Sequence, residues 1–166
     1  MRSALLALLL IATAAWAELG PLHKEDAGKF EFRPPAGWKV MEFGGLKYKI
    51  HHAAAKDGFA PNMNFMEEAF AGDFKDYPPQ AMRMVETMMK AKITAQPVAF
   101  KLDSGLPCSR SVFEANQQGR DLRFISFLNR LDDKKVVIAT FTSLLADSDK
   151  WDASVAESIR TFAQAK

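Results

Sequence analysis

The sequence has almost no cysteine: Cys108 is the only one in 166 residues. A chain with one thiol closes no internal disulfide, so core packing alone must hold its fold. It has no marked charge of one sign either. Lys and Arg number 22 against 20 Asp and Glu, a formal net charge of +2, and the two signs are interspersed. Nucleic acid binding needs a concentrated basic face, so that class is excluded. Beyond the first residues no apolar run approaches the roughly 20 residues that span a bilayer. Repeats and low-complexity stretches are missing. So are the Gly-x-Ser-x-Gly elbow and both Gly-rich phosphate loops, Gly-x-Gly-x-x-Gly and Gly-x-x-x-x-Gly-Lys.

What is present begins with a leader. Met1-Arg2-Ser3 gives a positive start, Ala4 to Ala14 is almost wholly apolar, and Ala15-Trp16-Ala17 has the small-x-small pattern of a cleavage site. This is the layout of a secretory signal peptide over residues 1–17, which leaves no stable transmembrane anchor once cleaved. The expected destination is the periplasm or the exterior. Residues 18–28 read as a polar, flexible lead, and 29–166 have the size of one domain.

Within that domain, alternation marks short strands. Phe30 and Phe32 share one face of Lys29–Arg33, Pro34 and Pro35 stop it, and Gly37 offers a turn before Trp38. Strand-like runs follow at Trp38–Phe43, Leu46–His52 and Asn62–Phe70. Tyr77-Pro78-Pro79 then opens a helix, because proline suits a first turn whose N–H groups lack partners. Met82, Val85, Met88 and Met89 form its expected core stripe. Val98–Leu102, Ser109–Gln117, Asp121–Arg130 and Lys135–Leu145 return to strand, with breaks of hairpin length between the last three. The last two, Asp121–Arg130 and Lys135–Leu145, are apolar on both faces, as strands covered on both sides are. Asp147-Ser148-Asp149 offers a cap, and Trp151, Val155, Ile159 and Phe162 make a final helical stripe. The expected fold class is α+β: an antiparallel sheet flanked by helices.

These pieces resemble the PsbP-like α/β/α sandwich family over about Lys29 to Ala163. Phe30-x-Phe32-x-Pro34-Pro35-x-Gly37-Trp38 carries most of the resemblance, with support from Asn62-Met63-Asn64-Phe65. The resemblance implies accessory binding. Photosynthetic members are lumenal extrinsic subunits of a membrane complex, related folds bind a small GTPase, and bacterial relatives are exported.

Candidate chemistry is sparse. His51 and His52 adjoin in a strand, so they face opposite ways and cannot easily share one metal ion; a strand-end surface pair is the expectation, with His23 in the lead. The methionines could serve copper, yet helical spacing assigns them to a core. Cys108 lacks a nucleophile signature. Glu67 and Glu68 alternate across a strand and form no carboxylate dyad. The loop Ala53–Pro61, with Lys56, Asp57 and Phe59, is a candidate contact surface. Trp38 is expected to anchor the sheet edge. Taken together, His51, His52, Lys56, Asp57 and Phe59 are the expected partner or ligand surface, with no catalytic, metal or cofactor residues. The sequence therefore points to an exported, non-enzymatic accessory protein with an envelope protein partner. The alternative is a small-molecule or metal-binding module using the His51/His52 strand end or a pocket beneath the central helix.

Overall fold

The computed structural model describes residues 17–166. The expected leader therefore lies outside the described residues except for Ala17. Seven antiparallel strands form the main sheet: β3 (Lys39–Met41), β4 (Ile50–His52), β5 (Asn62–Ala69), β6 (Lys92–Ala99), β7 (Cys108–Gln117), β8 (Arg120–Asp132) and β9 (Lys135–Leu144). Their spatial order is β3-β4-β5-β9-β8-β7-β6. The long meander β7-β8-β9 occupies the middle, as its two-sided apolar pattern requires. Gln118 and Gly119 make the tight β7–β8 turn, both with positive φ, the backbone that two-residue hairpins favour.

One face of this sheet is covered by helix α1 (Tyr77–Met89). The other is covered by helix α2 (Asp152–Arg160) and a small sheet in which β2 (Phe30–Phe32) lies between β1 (His23–Glu25) and β10 (Ala163–Gln164). The architecture is α+β, an antiparallel sheet between two covering layers. Phe30, Phe32, Phe65, Phe127, Phe141, Val155, Ile159 and Phe162 form the larger core beneath α2 and the small sheet. The α1 side holds two separate clusters: Met82 with Phe113, Leu122 and Phe124, and Tyr77 with Leu128, Val136 and Ile138. Among the described residues no helix is long and apolar enough to cross a membrane.

Four expectations need correction. The lead carries structure of its own: Leu19 bridges Pro35, and residues 23–25 pair with β2 as β1. Trp38 is not a buried strand residue. It precedes β3, is half-buried, and rests on Phe141 and Trp151 at centroid distances of 6.0 and 5.9 Å. The strand placed at Val98–Leu102 starts earlier, at Lys92, with Pro97 inside it. Pro97 is tolerated because β6 is an edge strand whose register shifts between Ala95 and Val98. The last helix starts only at Asp152, after a 3-10 turn over Leu145–Lys150.

Candidate ligand-binding site

The face beneath α1 carries a row of small polar residues running across four strands. Register aligns Asn64 with Thr140, Thr140 with Ser126, and Ser126 with Ser111. An apolar row lies on one side, Met66–Ile138–Leu128, and on the other Thr142–Phe124–Phe113. Serine and threonine are too short to fill the roughly 10 Å between packed layers. Helix α1 touches down on both sides of the row, its Tyr77 end on Leu128 and Ile138 and its Met82 face on Phe113 and Phe124. Between these contacts a cavity of about 590 Å³ remains.

Its walls are mostly apolar: Met82, Val85 and Met89 from α1, with Phe113, Phe124, Leu128 and Ile138 from the sheet. Met66, Met84 and Met88 line its rim and are 51%, 54% and 76% exposed. Met88 is therefore not the core residue its spacing suggested. Thioether chains repack easily around differently shaped apolar partners. The polar floor is short of partners. Among the described residues, Asn64, Ser126 and Thr140 make no side-chain hydrogen bond, and the buried Ser111 hydroxyl has none either. One end is closed by Tyr77, whose hydroxyl donates to Glu68 Oε2 at 2.6 Å. Burial pushes that phenol well above its ordinary value. At the other end Asn64, Phe124 and Thr142 also line a second depression of about 410 Å³, continued by Phe59, Asn62, Gln117 and Arg120.

A larger hollow, about 690 Å³, lies between Pro78-Pro79 and the Pro97–Ser109 hairpin. Ser109 in its wall already donates to Val98 O at 3.3 Å, and no comparable row of unpartnered groups lines it. Cys108 also borders it, but burial pushes the thiol up to about 12, which keeps it protonated at neutral pH. The cavity with convergent polar groups is the stronger ligand site despite its smaller volume.

The residues singled out in the sequence scatter. His51 is 0% exposed, so it is not a surface residue. It packs in the larger core beside His23, Phe32 and Phe65, its ring 4.5 Å from that of His23. Among the described residues neither ring nitrogen has a partner. Burial, assisted by the nearby His23, His52 and Lys49 charges, holds its imidazole down at about 3. His52 faces the opposite way, half-buried, with Nδ1 donating to Ala53 O at 2.9 Å. Lys56 bridges Phe59, closing the tight loop that holds Asp57 in a positive-φ conformation. Lys56 and Asp57 are exposed; Phe59 is half-buried, between the second depression and a small hollow against Trp151. Only Phe59 thus approaches the cavity system.

Glu67 is absorbed by structure. Lys47, Tyr48 and Lys135 surround it, Tyr48 donating to Oε2 at 2.5 Å. These donors, Lys47 foremost, hold its carboxyl down at about 2. Glu68 projects from the other face to Tyr77, as strand alternation requires. Among the described residues no three His, Cys, Asp or Glu side chains group as metal ligands would.

Comparison of the whole fold with solved structures now decides its type. Cyanobacterial PsbP from Synechocystis superposes with a TM-score of 0.62 at 13% identity, covering 89% of this chain and 93% of that one. The fold is PsbP-like. LpqN of Mycobacterium tuberculosis, described as involved in cell envelope biogenesis, gives a TM-score of 0.63 at 11% identity, with 89% and 86% coverage. A protein of unknown function from Pseudomonas aeruginosa gives 0.60 at 17% identity, with 85% and 94% coverage. No protein-family model and no curated protein matches the sequence. At these identities the PsbP-like likeness concerns the fold, and the site must be argued from its own residues.

Proposed function

We propose that this is an exported, non-enzymatic binding protein that holds a small, largely apolar molecule between α1 and the main sheet. One observation carries the reading: the register-aligned row Asn64–Thr140–Ser126 faces an apolar cavity with no side-chain hydrogen bond among the described residues. Apolar walls supply affinity, and a few fixed polar groups orient what is bound. The leader pattern and the envelope role described for LpqN support export. The test uses a neutral apolar dye, N-phenyl-1-naphthylamine. The wild-type protein is expected to bind one dye with enhanced fluorescence, and Ser126→Leu, which fills the cavity, is expected to abolish binding while circular dichroism stays native. A folded wild type that leaves the dye dark, or equal binding by the variant, rejects the reading.

A second reading, docking to an envelope protein partner, rests on the outer strand of the sheet. All three residues of β3 are exposed, and Val40, Met41, Phe43 and Leu46 present apolar surface beside a strand edge that no other described strand pairs. Such edges accept an added strand from another chain. Recovery of a partner by wild type, lost on Val40→Lys with dye binding intact, would favour this reading over the first.

A further inference from the structure

We infer that the bound molecule is an amphiphile with one long apolar chain and an anionic end, and that Arg120 receives the anionic end. The inference rests on the binding reading above and adds the ligand's class and direction. The α1 cavity does not stop at the edge of its methionines; it shares Asn64, Phe124 and Thr142 with the depression that Arg120 borders. Along β5 the two hollows run from Glu68 to Asn62, six residue steps, or roughly 20 Å of strand. That is a channel for an extended chain rather than for a compact ring.

The two ends differ in charge. At the closed end stands Glu68, whose carboxylate accepts from Tyr77; a second anion there would be repelled. At the open end Arg120 is, among the described residues, the only charged one lining the depression. Its guanidinium is already positioned. Nη1 donates to Gly58 O at 2.9 Å, and the group lies 5.9 Å from the Phe59 ring centroid. Among the described residues no carboxylate forms an ion pair with it. The positive-φ pair Gln118-Gly119 fixes the turn from which Arg120 springs, and Gln117, Gln118 and Asn62 place amides around it. A planar, permanently charged donor fork with spare N–H groups suits a carboxylate or phosphate.

A free fatty acid and a single-chain phospholipid share this chemistry, and the experiment separates them. The protein, loaded with N-phenyl-1-naphthylamine, is titrated below micellar concentrations with palmitate, hexadecanol, hexadecyltrimethylammonium and lysophosphatidylglycerol. The anionic ligands are expected to displace dye at concentrations about tenfold lower than hexadecanol, the size of one charge-assisted hydrogen bond. The cationic amphiphile should be weaker than the alcohol. In Arg120→Gln the anionic advantage is expected to shrink below about threefold, with Arg120→Lys intermediate. The tighter of palmitate and lysophosphatidylglycerol identifies the source. Equal displacement by palmitate and hexadecanol, or an advantage that survives Arg120→Gln, overturns the inference and leaves the apolar-ligand reading standing. Failure to bind the dye itself removes both.

Discussion

Thr140 and Ser126 stand opposite each other on β9 and β8, and among the described residues neither hydroxyl has a hydrogen-bond partner. Both lie on the floor that α1 spans. A protein that needed only stability would place apolar side chains there, because they bury more apolar surface against the cavity walls. Thr140→Val keeps the shape and removes the hydroxyl. It is expected to raise unfolding free energy by about 0.5–1 kcal/mol while weakening ligand binding. Urea denaturation with a parallel dye titration checks both, and a loss of stability above 1 kcal/mol would place that hydroxyl in a structural role.

His51 makes a prediction about acid. The unfolded chain protonates this imidazole near 6.5, whereas the folded one resists until about 3. Between those values the unfolded state holds more protons, so stability rises with pH and is lost as pH falls through the window. From pH 8 to pH 5 the loss is expected to be roughly 2 kcal/mol. His23 across the contact is also lowered by burial, with Glu25 opposing, and adds in the same direction. His51→Leu should flatten the profile between pH 6.5 and 5. Glu67 acts lower, below its ordinary 4.5, so its titration does not blur that interval.

Asp152 ties the start of α2 to the sheet. Arg123 donates to it twice, at 2.6 and 2.9 Å, and Arg110 reaches it at 3.4 Å. Arg123 is itself only 9% exposed, so removing the carboxylate takes two charge-assisted hydrogen bonds from a cation held largely away from water. Asp152→Ala is expected to cost about 1–2 kcal/mol, below the range for fully buried pairs because Asp152 reaches solvent. Thermal melting at low and high salt should show the difference narrowing only partly.

Trp38→Ala is expected to cost about 2 kcal/mol, less than for a fully buried tryptophan, because one side of its ring faces solvent. Equilibrium unfolding measures this, and a near-zero change would assign the ring to a contact surface.

Much of the architecture was legible in the chain. Met82 and Val85 after Tyr77-Pro78-Pro79 announce α1, and the two-sided apolar runs of β8 and β9 announce a covered central meander. The site was not, because it exists only in register. Asn64, Ser111, Ser126 and Thr140 are unremarkable in their own strands; hydrogen-bonded pairing across β5, β9, β8 and β7 makes them one row. His51 shows the other limit. Alternation says that His51 and His52 face opposite ways, but not that a polar-looking lead folds over the His51 side.

The small sheet places a burden on synthesis. Its middle strand, Phe30-Glu31-Phe32, is completed on one edge by Ala163 and Gln164, and Ser158 Oγ donates to Arg33 O across 125 residues of chain. Phe30 and Phe32, fully buried in the finished protein, are synthesised long before α2, Phe162 and β10, which complete their cover. Closing so long a loop is slow compared with forming local contacts. Until β10 is made the chain therefore displays an aromatic strand with one edge bare, the kind of segment that holdase chaperones grip and that aggregates when they are scarce. A chain cut after Arg160, lacking Phe162 and β10, should keep the meander yet bind such a chaperone persistently.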